Sequence, residues 1–427
     1  MSPLSRKDVF CSRQQLEAKK LHRLNAMFAE VLPANCFYRE KFSGCTTPVQ
    51  SFEQFAAFPC TIKSELVGNE DTVSARNRTW SDQKYVRFHQ TSGTSGHPLQ
   101  VWDTQDDWNW WMTCWKSIYS RAELQPGEPV FVAASFGPYI GFWSAFEGAV
   151  ASGGRAISSG GLSSVARLEL LRKTESKVLV ATPTYALHLA EVAREQGYET
   201  STSAIRCVLV AGEPGGSLEA VRQRISSAWG ADVLDHAGAT EIGPWGAGWL
   251  EHSGLEVLED WFHPEFLDIS TGRPAREGES AELVLTTLGR NGCPVIRYRT
   301  GDVVHPVWPT EQEVEAGRSP RVWLKGGILG RSDDMLVVRG VNVFPSAVEN
   351  IIRGFPEVLE YRLIVNRAEN LDVLSIEIED RLSAPDRVAQ ELHVRLGLRV
   401  DVTNVSVGTL PRFEGKARRV IDNRKKF

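Results

Sequence analysis

Between Pro129 and Asp235 the chain alternates short β-branched runs with stretches of helical periodicity, and no other feature limits its possible folds as tightly. The runs are Val130-Phe-Val-Ala-Ala, Val178-Leu-Val-Ala, Cys207-Val-Leu-Val-Ala and Asp232-Val-Leu, with helical patterns over 141–152, 184–195 and 217–228. Such alternation predicts a parallel sheet with helices packed on it. The loops at Ser135, Thr182, Ala211 and Asp235 then stand at carboxyl ends of strands, where open α/β sheets bind ligands.

On either side of this region the texture differs. Leu16, Leu21, Leu24, Met27, Phe28 and Val31 recur at helical spacing over 12–32, and Pro33 is expected to stop that helix. After about residue 265 the chain turns to short strands, Glu282-Leu-Val-Leu-Thr, Val295-Ile-Arg-Tyr and Arg321-Val-Trp-Leu, which suggest an antiparallel module. A third texture starts near Gly330, with strands expected at 335–343 and 372–378, helices at 346–353 and 384–396, and a closing strand at 400–407. The expected fold class is α/β: a large N-terminal domain over 1–330, with parallel sheets and a β-rich subdomain, and a small α+β C-terminal domain over 331–427. A chain of 427 residues holds both.

Composition narrows the function classes. Lys and Arg total 48 against 53 Asp and Glu, a net charge of −5. That lacks the basic surplus of a nucleic-acid binder, and the cluster Arg418, Arg419, Arg424, Lys425, Lys426 reads as a solvated tail. The seven cysteines are scattered without a C-x-x-C pair, so neither a disulfide framework nor a zinc module is encoded. No apolar leader precedes the first helix, and no run approaches the roughly 18 apolar residues of a membrane span. A soluble cytoplasmic protein is expected, with no nucleic-acid or membrane partner; a homodimer is admitted by the sequence without being specified.

Five segments carry chemistry, each with a plainer reading beside it. Thr91-Ser-Gly-Thr-Ser-Gly-His-Pro98 follows an apparent strand and offers backbone N–H groups and hydroxyls to phosphate oxygens; alone, it is equally a flexible turn. It is not a P-loop, which needs Lys and then Ser or Thr after the last glycine. Asp235-His-Ala-Gly-Ala-Thr-Glu241 would put a hydroxyl and a carboxylate into the strand-end crevice, or simply cap a helix. Tyr298-Arg-Thr-Gly-Asp302 sets a carboxylate after a tight turn, suited to vicinal hydroxyls or to an ordinary hairpin. Gly330-Arg-Ser-Asp-Asp334 falls where the texture shifts and reads equally as a linker. Leu410-Pro-Arg-Phe-Glu-Gly-Lys416 carries one lysine on a loop, ordinarily just surface charge. Trp108, Trp110, Trp111 and Trp115 stand at helical spacing and read as core.

In this order, over residues 80–427, these segments resemble the adenylate-forming superfamily of acyl-CoA synthetases, adenylation domains and luciferases, and within it the phenylacetate–CoA ligase-like branch. Ile296-Arg-Tyr-Arg-Thr-Gly-Asp302, Gly330 to Pro345 and Leu410 to Val420 are the most branch-specific pieces. The resemblance implies that an aryl carboxylic acid is activated by ATP with Mg²⁺ to acyl-AMP and passed to coenzyme A. Transfer to an amine, a hydroxyl or a carrier-protein thiol is the alternative, and a weakened binding protein a third reading.

The resemblance also implies site residues. Thr91, Ser92, Gly93, Thr94, Ser95 and Gly96 would cradle the ATP phosphates. Gly212, Glu213 and Pro214 would flank adenine, with Asp235, His236, Ala237 and Gly238 lining the nucleotide. Thr240 and Glu241 would serve phosphate and Mg²⁺, Asp302 the ribose, and Arg331 a position near ribose and hinge. Asp333 would be the hinge to a mobile small domain, and Lys416 the catalytic lysine spanning carboxylate and nucleotide. The acid is expected among Ser135, Phe136, Gly137, Tyr139, Ala211, His236 and Gly238, with Phe136 and Tyr139 flanking a flat ring and His236 bonding a ring substituent. Two positions depart from the family pattern: His97 stands where lysine is usual, and Ala237 where an aromatic residue is. The stretch Arg321 to Leu329 lacks the cysteine pair of zinc-bearing members, so no zinc is expected.

Overall fold

The computed structural model describes residues 12–67, 75–91, 98–332, 336–338, 341–368, 371–413 and 419–424. The first described element is α1 (Arg13–Ala34), started by a Ser12 capping box and followed by α2 (Cys36–Lys41), α3 (Phe52–Phe55) and α4 (Lys63–Leu66). Pro33 does not end α1, which runs one residue further: the helix stops where Asn35 turns extended and its side chain accepts from the Tyr38 N–H to cap α2. A hairpin of β1 (Tyr85–Gln90) and β2 (Gln100–Thr104) leads into α5 (Gln105–Arg121). All four expected core tryptophans lie on α5 and are buried.

The alternating region forms β3 (Pro129–Val132), α6 (Ile140–Ala151), β4 (Arg155–Ser158), α7 (Ser164–Lys173), β5 (Val178–Ala181), α8 (Pro183–Glu195), β6 (Cys207–Ala211), α9 (Glu219–Trp229) and β7 (Asp232–Ala239). Strands β4, β3, β5, β6 and β7 pair in parallel. Val178 and Val180 enter the core on one face of the sheet and Leu179 and Ala181 that on the other, which explains why β5 is apolar at every position.

The remaining large-domain elements are β8 (Gly243–Ala247), β9 (Leu255–Val257), β10 (Phe262–Asp268), β11 (Ala281–Thr287), β12 (Tyr298–Val307), α10 (Glu311–Glu315) and β13 (Trp323–Arg331). The expected antiparallel strands are present, but they extend the first sheet instead of standing apart. The order β10-β11-β12-β13-β9-β8-β7-β6-β5-β3-β4 makes one 11-stranded mixed sheet. Val295 to Arg297 precede β12, because Arg297 has a φ of 48° and breaks the extended run.

A second core holds β14 (Leu336–Val338), β15 (Val341–Val343), α11 (Pro345–Arg353), β16 (Val358–Ala368), β17 (Leu371–Asp380), α12 (Pro385–Leu396), β18 (Asp401–Asn404) and β19 (Val420–Asp422). Its four-stranded sheet runs β18-β17-β16-β19, and the helices α11 and α12 supply Val348, Ile352, Val388 and Leu392 to the apolar side.

One buried charge cluster joins α1 to the large sheet. Lys20 and Glu259 are 1% and 0% exposed and paired, and Glu259 also accepts from Arg13 and from the Val322 N–H. Burial alone would raise the Glu259 carboxyl, but Lys20 and Arg13 more than offset it and hold it at about 2. Its folded value lies below the ordinary 4.5, so the pair stabilises the fold above about pH 4.5 and that contribution drains away as the pH falls towards 2. Lys20→Met, which leaves Glu259 buried beside Arg13 alone, should lower the unfolding free energy at pH 7 by about 3–5 kcal/mol in urea titration. It should also flatten the acid limb of the stability profile. An unchanged midpoint would show that α1 is not anchored by this pair.

Candidate active site

Strand β7 is where the sheet changes character: it pairs in parallel with β6 and antiparallel with β8. The strand runs further than its apolar pattern suggests, so Asp235 lies inside it and not in a following loop. The Asp235 carboxyl is 7% exposed and accepts from the Ser217 hydroxyl and from the His236 N–H at 3.0 Å. Burial pushes it up to about 6. Asp235 thus braces the segment that follows Gly212, Glu213 and Pro214; a side chain on Gly216 would run into it at 2.6 Å.

His236 is fixed from two sides. Its Nδ1 lies 2.8 Å from the Gly246 carbonyl oxygen, and its ring centroid is 4.7 Å from that of Trp115. Burial pushes the imidazole down to about 4, so it is neutral near pH 7. A carbonyl only accepts, so Nδ1 carries the proton and Nε2 is an acceptor. Nε2 would stand 3.3 Å from a side chain on Gly238, and glycine leaves that space open. Ala237 is buried, with its methyl towards Gly246 of β8, and Ala211 pairs with His236 across β6 and β7.

The turn after β7 is held by two residues that the sequence motifs did not assign a role. Arg290 is 0% exposed; its Nη1 donates to the carbonyls of Thr240 (3.2 Å) and Glu241 (2.9 Å), while Nε and Nη2 grip Asp103 at 2.7 and 2.9 Å. The Tyr298 hydroxyl donates to Glu241 Oε1 at 2.9 Å. Burial and the neighbouring Glu241 charge push this phenol far up, so it keeps its proton. Tyr298 opens the Tyr-Arg-Thr-Gly-Asp segment and stood in view; nothing in the pattern around Arg290 pointed to it.

Asp103 belongs to β2, so this pair carries the β1–β2 hairpin to the end of β7. Thr91 closes the hairpin's neck: its N–H donates to the Leu99 carbonyl and its hydroxyl accepts from the Leu99 N–H, both at 2.9 Å. Ser92 to Gly96 and His97 lie outside the described residues, as do Asp333 and Lys416. The Gln90 N–H donates to the Pro138 carbonyl at 3.0 Å and brings the segment Ser135 to Tyr139 alongside. There Phe136 packs on Trp143 and Phe146, with ring centroids 4.6 and 5.6 Å away. Ser135 accepts from Arg167, Trp143 donates to the Gly137 carbonyl, and Tyr139 is half exposed. A cavity of about 310 Å³ lies between hairpin and segment, lined by His89, Trp108, Gly137, Pro138, Trp143 and Glu147 among others.

On the antiparallel side Asp302 of β12 faces Arg331 of β13, with the guanidinium 3.4 Å from the carboxylate and 3.2 Å from the Thr300 carbonyl. Across the crevice Gly212 has a φ of 92°, which favours glycine, and Glu213 accepts from the Thr184 N–H at 2.8 Å. Among the described residues no three His, Cys, Asp or Glu group as a metal cage. One carboxylate beside a hydroxyl, as at Glu241 and Thr240, instead suits a hard cation that brings water and substrate phosphates as its other ligands.

Comparison with known proteins follows the same lines. Residues 340–424 match the model of the AMP-binding enzyme C-terminal domain. The chain is 33% identical to the phenylacetate–coenzyme A ligase of Escherichia coli strain K12, over 97% of this chain and 96% of that one. It is 31% identical to the enzyme of the same name from Thermus thermophilus, over 97% and 98%. A solved 2-hydroxyisobutyryl-CoA ligase in its postadenylation state, in complex with an acyl-AMP, superposes with a TM-score of 0.92 at 27% identity, over 99% of this chain and 94% of that one. The same enzyme in its thioesterification state, with acyl-AMP and CoA, gives 0.74 at 28% identity, over 100% and 94%. The chain belongs to the phenylacetate–coenzyme A ligase family of adenylate-forming enzymes.

Proposed function

We propose that the protein is an AMP-forming acid–thiol ligase that adenylates an aromatic carboxylic acid and transfers the acyl group to coenzyme A. The observation that carries this reading is the convergence at the end of β7. Arg290 and Tyr298 tie the Thr240–Glu241 turn to the phosphate-loop hairpin through Asp103 and to the Asp302 strand, so groups about 200 residues apart face one crevice.

In the first half-reaction a substrate carboxylate oxygen attacks the α-phosphorus of ATP, the bond to the bridging oxygen breaks, and pyrophosphate leaves. Two anions must approach, so the site has to hold them and neutralise charge that builds at the α-phosphate. In our reading Glu241 and Thr240 hold Mg²⁺, which would supply positive charge to the phosphates. Tyr298 keeps Glu241 oriented by donating to it. Asp302, steadied by Arg331, takes the ribose hydroxyls, and residues 212–214 take adenine. Lys416 would bridge carboxylate and nucleotide. The cysteine-free stretch Arg321 to Leu329 gives no ground for zinc.

The acid lies between Phe136 and His236. Because Nε2 of His236 is a neutral acceptor, the pocket suits a ring bearing a hydroxyl or amino group better than an unsubstituted one. In the second half-reaction the CoA thiolate attacks the acyl carbonyl and expels AMP. The domain arrangement resembles the postadenylation state of the 2-hydroxyisobutyryl-CoA ligase more closely than its thioesterification state, with TM-scores of 0.92 and 0.74. The small domain would therefore have to swing before CoA reacts.

Pyrophosphate release over a panel of aryl acids, with and without CoA, tests the reading. Turnover should need both acid and CoA and should yield thioester; release that ignores CoA and gives an amide or ester would refute the acceptor. Lys416→Ala should cut acid-dependent pyrophosphate exchange by about 10²–10³-fold at unchanged melting temperature. Unaltered exchange would remove Lys416 from the mechanism. Tyr298→Phe deletes one hydrogen bond to a charged group and should lower adenylation about tenfold in steady-state rates; a rate equal to wild type would show that Glu241 needs no such orientation.

A further inference from the structure

Helix α11 of the small domain packs on α9 of the large one, and the contact is unevenly charged. Arg419, three residues after Lys416 and 7% exposed, is the link across it. Its Nε donates to Glu360 at 2.6 Å and Nη1 to Glu349 at 3.2 Å, both within the small domain. Its Nη2 reaches out to the Thr184 hydroxyl at 3.2 Å, at the start of α8. The Thr184 N–H in turn donates to Glu213, in the segment assigned to adenine. One residue therefore joins the lysine-bearing end of the chain to the nucleotide side of the large domain.

The neighbouring part of the interface opposes docking. Arg224 of α9 has an Nη1 that is buried without a hydrogen-bond partner. Burial and the nearby Arg353 of α11 disfavour its charge, and they outweigh the attraction of Glu191, Glu360 and Glu357. A guanidinium in that position is costly while the domains are docked and regains water when they part. On the acidic side, burial and the nearby Glu213 both raise Glu349, countered by Arg419 and Arg353.

We propose that Arg419 and Thr184 form a latch that seats the small domain for adenylation, and that Arg224 against Arg353 is the built-in strain that frees it for transfer to CoA. Both are positioning residues: neither touches the reacting atoms. The proposal rests on the two-step reading above, and it predicts opposite effects on the two steps, which a general loss of folding would not produce.

Each half-reaction is measured separately, as acid-dependent pyrophosphate exchange into ATP and as CoA consumption of supplied acyl-AMP. Thr184→Val should lower exchange about tenfold and leave the CoA step at the wild-type rate, and Thr184→Ser should restore exchange. Arg224→Leu should keep exchange and slow the CoA step about fivefold, because the docked state no longer carries the strain. Hydrogen exchange over 219–229 and 345–353 reads docking without turnover: protection should fall in Thr184→Val and rise in Arg224→Leu. Equal loss of both steps in Thr184→Val, or protection unmoved in both variants, overturns the latch. A wild-type protein inert towards every aryl acid would instead refute the proposed substrate class, while hydrogen exchange over 219–229 and 345–353, which needs no turnover, still decides the latch.

Discussion

The buried pair of Arg290 and Asp103 is the interaction on which the rest of the site depends. Both side chains are 0% exposed, and together they unite the β1–β2 hairpin, the connection between β11 and β12, and the turn that carries Glu241. Burial works against the Arg290 charge, yet Asp103 keeps it above its ordinary value. Trp111 adds an indole N–H to Asp103 at 3.3 Å, so part of the tryptophan-rich face of α5 serves to hold a carboxylate in place. A buried ion pair gives little net stability, but its fixed geometry decides which elements can meet.

Around that pair the sheet supplies the crevice. On the parallel side, crossover helices pack on both faces, and α8 and α9 bring Thr184 and Arg224 to the rim. On the antiparallel side, β12 delivers Tyr298 and Asp302 four residues apart, towards the same strand end. Because β7 belongs to both halves, residues along it and just after it do separate work: Asp235 braces the loop above β6, His236 presents a lone pair, and Thr240 and Glu241 form the turn that follows. The small domain meets the large one through α11 on α9 and through the Arg419–Thr184 hydrogen bond.

Much of this was legible in the residues. The strand–helix alternation announced β3, β5 and β6 because those strands are covered on both faces and apolar, and it announced β7 by its start at Val233 and Leu234. Of the short motifs, those at 235–241 and 298–302 meet at the end of β7, where Tyr298 donates to Glu241. What stayed hidden has physical causes too. Strand β4 is short and lies at the sheet's edge with Arg155 exposed, so it lacks an apolar run. The fusion of the two β regions rests on β9 pairing with β13, a contact between residues almost 70 apart that no local pattern encodes. Arg290 reads as an ordinary charged turn residue, and only its burial beside Asp103 reveals a role. Pro33 misled because a proline's missing N–H and ring matter less near the end of a helix than the Asn35 cap that follows.

On this reading these distant segments enclose one acyl-adenylate. A crystal structure with a non-hydrolysable acyl-adenylate analogue of a hydroxy- or amino-substituted aryl acid tests it most directly. The ribose hydroxyls should lie on Asp302, the adenine along residues 212–214, and the ring substituent within hydrogen-bond distance of His236 Nε2. An analogue bound away from the end of β7, with Glu241 and Asp302 both out of contact, would contradict it.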